Sequence, residues 1–89
     1  MTREKLEREK LLDKASAYIR NLFRGGCILS YIDHVGPEGT HETWCLHLTK
    51  NGHLEIFRST SQGLYAVEPT QVPEAVWRTF KEKILELTT

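Results

Sequence analysis

The chain has 89 residues, the length of one small domain and too short for a second hydrophobic core. Hydrophobic residues make up 39% of it, charged residues 27% and aromatic residues 9%, a balance that excludes a disordered or collagen-like chain. Twelve basic residues offset twelve acidic ones, so no net charge draws the molecule to nucleic acid or to an anionic membrane. We expect a single domain over residues 1–89.

Nothing in the sequence indicates a membrane or secretory protein. No stretch approaches the ~20 apolar residues of a membrane helix. The first residues alternate in charge where a secretory signal has an apolar segment, and two cysteines are too few for a disulfide framework. The sequence therefore predicts a cytoplasmic protein with free thiols.

The first predicted element is a helix over residues 2–24, a segment without Gly or Pro and rich in strong helix formers. Its apolar residues recur at steps of three and four, which predicts one buried stripe. The stripe consists of Leu11, Leu12, Ala15, Tyr18, Ile19, Leu22 and Phe23. Gly25 and Gly26 then end the helix, because glycine readily adopts the left-handed cap conformation.

Between Cys27 and Glu68, β-branched and aromatic residues are interrupted by turn sequences such as Asn-Gly. We predict an antiparallel meander of four strands, over residues 27–35, 41–49, 53–59 and 64–68. A second helix begins at Pro73, with an apolar face formed by Val76, Phe80, Ile84 and Leu87. The fold class is α+β, in the order helix, four-stranded meander, helix, with the helices mainly on one sheet face.

The turn at Asn51-Gly52 decides the register of the second and third strands. A three-residue loop pairs Leu48 with Leu54, Leu46 with Ile56 and Trp44 with Arg58, whereas a two-residue turn mixes the two faces. Continuing through the preceding turn places Tyr31 opposite Trp44 and Leu29 opposite Leu46. The predicted inner face is Leu29, Tyr31, Trp44, Leu46, Leu48, Leu54 and Ile56, with Leu64 and Ala66.

The opposite, outer face mixes large apolar groups with polar ones: Ile28, Ser30, Ile32, Thr43, Cys45, His47, Glu55, Phe57, Tyr65 and Val67. If both helices cover the inner face, this mixed surface is open to a partner, as interaction sites commonly are. In the alternative, one helix covers each face and these residues are ordinary core. We predict the open face, with a binding site at Ile32, His47, Phe57 and Tyr65.

Charge is distributed unevenly along the neutral chain. Residues 1–24 hold seven bases against four acids, and residues 25–71 hold two bases against five acids. The first helix could contact phosphates through Arg3, Arg8, Lys10 and Lys14, but the acids among them are typical of a solvated helix face. Nucleic-acid contact through this helix and exposed aromatic residues is therefore the alternative to a protein partner.

Few residues are candidates for chemistry. His41, Cys45 and His47 share a strand face, but residues 41 and 47 are separated by roughly 20 Å, too far to hold one ion. Cys45, His47 and Glu55 have the groups of a nucleophile, a base and an orienting acid. The middle of a strand, however, offers few backbone amides for an oxyanion and no helix N-terminus to lower the thiol pKa. We expect no metal, no cofactor and no enzymatic activity.

Together these features predict a small protein-binding module, such as an adaptor, an inhibitor or an accessory subunit. Its partner would be another protein or a second copy of the chain in a homodimer. The outer sheet face would carry the contact, since it presents aromatic groups suited to anchoring a protein interface.

Overall fold

The computed structural model describes residues 3–89, with side chains from residue 7 onward. The described residues form α1 (Arg3–Ile19), β1 (Cys27–Val35), β2 (His41–Leu48), β3 (Leu54–Thr60), β4 (Gly63–Val67), a 3-10 turn (Pro69–Gln71) and α2 (Glu74–Thr88). The strands make one antiparallel sheet in the order β1-β2-β3-β4. The predicted α+β class and order of elements are confirmed. Neither described helix is long and apolar enough to cross a membrane.

Both helices pack on one face of the sheet, which we call the inner face. Five inner side chains of β2 and β3 are at most 2% exposed: Trp44, Leu46, Leu48, Leu54 and Ile56. They share one core with residues of both helices: Leu12, Ala15, Ile19, Val76, Trp77, Phe80 and Ile84. Burying a Leu, Ile or Phe side chain contributes about 1.5–3 kcal/mol, so this one-sided core holds the elements together. One helix on each face, the alternative arrangement, does not occur.

The predicted C-terminal end of α1 is wrong, and its predicted buried stripe is wrong in part. The helix ends at Ile19, and a hydrogen-bonded turn follows before β1. Tyr18 is exposed, because the helix buries a face formed by Arg8, Leu12, Ala15, Ser16 and Ile19 that meets β3 and α2. Leu22 and Phe23 lie beyond the end of the helix and are exposed as well.

Arg8 is a buried structural arginine with 6% of its surface exposed. Its Nη1 donates to the carbonyl oxygens of Pro69 at 2.9 Å and Val72 at 2.8 Å, and its Nη2 lies 2.6 Å from Glu74 Oε2. The guanidinium also lies 5.1 Å from the ring centroid of Trp77. These contacts compensate for the burial of the charge and fasten α1 to the segment that begins α2.

The predicted register of β2 and β3 is confirmed. Leu48 pairs with Leu54, and the inner positions follow in step to Trp44 and Arg58. Gly52 has a φ of +80°, the left-handed conformation that the predicted loop requires of its glycine. The turn and the alternation of apolar residues thus specify the same pairing.

A bulge in β1 leaves Leu29 unpaired within the ladder and shifts the pairing with β2 by one residue. Between the bulge and the turn, Val35 pairs with His41, one residue beyond the Thr40 that the predicted pairing implies. Ile32 therefore pairs with Trp44, and the prediction that placed Tyr31 there is wrong. Because successive strand side chains point to opposite faces, Ile32 lies on the inner face against the core and Tyr31 lies on the outer face. Ser30 changes sides with Ile32, and Leu29 still packs against the core.

The predicted orientation of β4 is also wrong. Tyr65 pairs with Arg58 and Ala66 pairs with Phe57, so Tyr65 and Val67 share the inner side, while Leu64 and Ala66 share the outer side. The reason is the turn: Thr60 pairs with Gly63 across two residues, which sets Leu64 opposite Ser59, an outer residue of β3. Phe57 and Tyr65 consequently lie on opposite faces.

Candidate functional site

The outer face of the sheet is left bare by the part of the chain that the structure describes. Four large apolar side chains on it are more than half exposed: Ile28 at 60%, Tyr31 at 72%, Val35 at 55% and Leu64 at 64%. A soluble monomer seldom exposes several such groups on one surface, and patches of this kind commonly mark protein contacts. The outer face is therefore the first candidate for a functional site.

The three strand registers arrange the outer side chains in rows across the sheet. The central row is the most apolar and consists of Tyr31, Cys45, Phe57 and Ala66. On one side of it lies the histidine row, made of Ile28, His47 and Glu55. On the other side lies the aspartate row, made of Asp33, Thr43, Ser59 and Leu64.

Contacts within the outer face fix the positions of several side chains. The rings of His47 and Phe57 have centroids 5.5 Å apart and planes inclined at 59°. Thr43 Oγ1 donates a hydrogen bond of 3.0 Å to Asp33 Oδ1. The face therefore presents an apolar centre with a polar margin on each side, the usual layout of a protein interface.

The structure brings together two of the four residues predicted to bind a partner. His47 and Phe57 are neighbours on the outer face, where both are half-buried. The outer-face placement of Ile32 and Tyr65 is wrong, because the registers of β1 and β4 place both on the inner side. The sequence reasoning missed Tyr31, whose assignment depended on the same register.

The chemical character of Cys45 opposes a catalytic role for it. Burial raises the pKa of the Cys45 thiol, whereas a cysteine nucleophile requires a lowered pKa. Cys27 and Cys45 are free, as the sequence predicted, and they lie on opposite faces of the sheet. Within the described residues, no three His, Cys, Asp or Glu side chains form a group that could hold a metal ion.

A second concave surface, which the sequence reasoning did not identify, lies on the inner face beside the start of α2. We call it the inner-face groove; its volume is about 510 Å³ and its polar lining includes His34, Glu42, Arg58, Tyr65 and Gln71. Trp44 Nε1 donates to Glu42 Oε2 at 3.1 Å, and Arg58 Nη1 lies 3.9 Å from Glu42 Oε1. The Arg58 guanidinium lies 5.9 Å from the Trp44 ring centroid. These contacts hold a charged pair at the edge of the core.

The basic face of α1, the alternative site, is altered by the burial of Arg8. That guanidinium points at α2 and is not available to a phosphate on the surface. Lys10 and Lys14 are exposed. The side chain of Arg3, the fourth residue of this predicted surface, lies outside the described residues.

Comparisons with known proteins supply no relative from which a function could be transferred. No protein-family model matches the chain, and no significant match is found among curated proteins or solved structures. Fold alone says little about activity, because one architecture supports many functions. The outer face and the inner-face groove are therefore the surfaces from which a function is inferred.

Proposed function

We propose that this chain is a non-enzymatic protein-binding module that acts through the outer face of its sheet, and that a second copy of the chain occupies that face. The observation that supports this most strongly is the set of exposed apolar side chains on Ile28, Tyr31, Val35 and Leu64. Removing apolar surface from water contributes about 25 cal/mol per Å², so covering this face is favourable.

The outer face is complementary to itself about a two-fold axis parallel to the strands. Such an axis lays β1 over the partner's β4 and β2 over the partner's β3, so each row meets the same row of the other copy. In the central row, the large Tyr31 then faces the partner's Ala66, and the small Cys45 faces the partner's Phe57. Large groups thus meet small ones, as close packing between two sheets requires.

The histidine row is complementary in the same arrangement. His47 faces the partner's Glu55, so an imidazole N–H can meet a carboxylate twice across the axis, and matched polar pairs of this kind favour one register over others. In the aspartate row, Asp33 faces the partner's Leu64, which is not a favourable pair. Both lie at corners of the face, and the corners of packed sheets diverge because the strands cross at about 30°.

The size of the face predicts a reversible dimer. Four strands about 4.8 Å apart, with seven or eight residues rising about 3.3 Å each, cover roughly 500 Å² in projection. A standard interface buries about 800 Å² per partner, and weak or transient interfaces bury less than about 600 Å². We therefore expect association that rises with protein concentration.

Light scattering over a range of concentrations tests this function. The wild-type mass should rise from 10.3 kDa towards twice that value, because each copy covers the other's apolar face. Phe57→Glu should remain monomeric, since it places a charge in the central row. Leu85→Glu, at an exposed apolar position on α2, is the matched control and should associate like the wild type.

Circular dichroism establishes that both variants fold before their masses are compared. A wild-type mass that stays at 10.3 kDa at every concentration contradicts the second copy as the occupant. Equal association of Phe57→Glu and Leu85→Glu places the contact elsewhere and contradicts the outer face as the binding surface.

A further inference from the structure

The inner-face groove interrupts the pattern of the inner face. Along β3 the inner positions run from apolar residues to Arg58, and along β2 they run from Leu46 to Trp44 and then Glu42. His34 pairs with Glu42 in the sheet, and Tyr65 pairs with Arg58. Two charged residues and a histidine therefore occupy positions that would carry core side chains under a longer helical cover.

Two buried polar atoms of this groove, His34 Nδ1 and Arg58 Nε, have no hydrogen-bond partner within the described chain. Leaving a buried donor or acceptor without a partner is unfavourable, and native proteins seldom do so. Two such atoms in one groove, beside a carboxylate, lower the stability of the fold and are typical of a site that binds a ligand.

The Arg58 side chain is held in place by two contacts, but not all of its N–H donors have acceptors. It lies against the Trp44 ring and forms an ion pair of 3.9 Å with Glu42, and 41% of the side chain remains exposed. A guanidinium carries five N–H donors, and a single pair at this distance leaves donors available for a planar, two-oxygen group. Arg58 is therefore positioned to receive a carboxylate.

The charges of the groove select the class of ligand. Arg58 is accompanied by two carboxylates, Glu42 and Glu68, so a dianion such as phosphate would meet more negative charge than positive. A simple cation would use the carboxylates but leave the available N–H donors of Arg58 without a ligand acceptor. A zwitterion suits both signs, and the walls at Val67 and the Tyr65 ring suit an apolar side chain.

We infer that the inner-face groove binds a zwitterionic small molecule of the α-amino acid type. The ligand carboxylate accepts hydrogen bonds from Arg58, its ammonium donates to Glu42, and its side chain lies beside Tyr65. The groove volume, about 510 Å³, is in the range of small-molecule sites. This site is separate from the outer face and does not depend on association of the chain.

The test uses three probes that share a phenyl ring: L-phenylalanine, 3-phenylpropionate without the ammonium, and phenethylamine without the carboxylate. Titrations followed by backbone amide NMR should show L-phenylalanine shifting the amides of residues 42, 44 and 58. Each analogue should bind at least about tenfold more weakly, because it lacks one charge-assisted contact. These wild-type titrations decide the inference without any variant.

Two variants then assign the roles. Arg58→Gln should weaken L-phenylalanine and 3-phenylpropionate about tenfold and leave phenethylamine unchanged. Glu42→Gln retains an acceptor for Trp44 Nε1, and it should weaken L-phenylalanine and phenethylamine instead. Arg78→Gln, an exposed arginine outside the groove, is the matched control and should change nothing.

No L-phenylalanine-dependent shift at up to about 10 mM, the concentration that reveals even millimolar affinity, overturns the inference. Equal affinity for 3-phenylpropionate and L-phenylalanine also overturns it, since a simple anion site would then suffice. The Phe57→Glu variant should bind L-phenylalanine like the wild type, so failure of the groove and failure of the outer-face dimer are separate results.

Discussion

Arg8 connects α1 to α2, because its guanidinium donates to two backbone carbonyls of the segment that begins α2. Its two bonds to Pro69 and Val72 cross from the first helix to the segment that begins the last one. The sequence suggested a surface cation, since arginine is seldom buried. Its actual position could not be predicted from periodicity, because the partner carbonyls lie more than 60 residues away.

Arg8→Met should lower the free energy of unfolding by about 2–4 kcal/mol, because Val72 O loses its guanidinium donor, Pro69 O keeps only the Val72 amide, and Glu74 loses its partner. Lys10→Met changes an exposed cation of the same helix and should cost less than about 0.5 kcal/mol. Urea denaturation followed by circular dichroism measures both. Equal unfolding midpoints would mean that the Arg8 contacts contribute nothing to stability.

The sequence did not predict the inner-face groove, because its residues come from different strands. Glu42 and Arg58 are far apart in sequence, and only the registers of β1, β2 and β3 bring them to His34. The predicted pairing of Trp44 with Arg58 was nevertheless correct, and an arginine opposite a core tryptophan was a usable signal. A charge at an apolar position of a correctly paired strand merits examination as a site.

At the level of elements, the sequence predicts the strand pairing correctly where the turn sequence and the alternation of apolar residues indicate the same register. β2 and β3 are joined by a loop with Gly52 in the left-handed conformation, and their inner residues alternate regularly. β1 has apolar residues at both parities, such as Leu29 and Ile32, so the alternation could not reveal a bulge. The predicted register therefore failed at β1 for a local reason.

The contact between α1 and β3 depends on Ser16, whose hydroxyl donates to Leu12 O at 2.6 Å and accepts from Leu54 N at 2.8 Å. Ser16→Ala should destabilise the fold by about 1–3 kcal/mol, because the buried Leu54 amide loses its acceptor. Thr79→Ala, which removes a helix-surface hydroxyl, should have a smaller effect. Thermal unfolding compares the two variants.

Hydrogen exchange separates this contact from general destabilisation. The Leu54 amide should lose more protection in Ser16→Ala than the amides at the centre of β2, because only Leu54 has lost its acceptor. Uniform loss of protection across β2 and β3 would contradict a specific tie between α1 and the start of β3.

At the scale of the whole molecule, the described helices lie on one side of a four-stranded sheet, and the other side meets solvent. A chain this short buries only a modest share of its surface, so covering a second apolar face adds to its stability. Folding and association are then linked, and thermal stability should rise with protein concentration. The order of elements alone permitted either an open face or one helix on each face, and the residues of the open face depended on two registers.

Cys45 lies in the central row and reports directly on whether that row is covered. Alkylation is measured in the Cys27→Ser variant, so that Cys45 is the thiol that reacts. At low protein concentration it should react more slowly than glutathione at the same pH, because burial raises its pKa and lowers the thiolate fraction. The Phe57→Glu variant in the same background is the control that cannot associate.

The most direct test of the outer-face interface is the alkylation rate of Cys45 as protein concentration increases. We expect the rate to fall over the concentrations at which light scattering detects the dimer, and to stay constant in the Phe57→Glu control. A rate that stays constant while the dimer forms would show that the second copy binds elsewhere and would contradict the proposed interface.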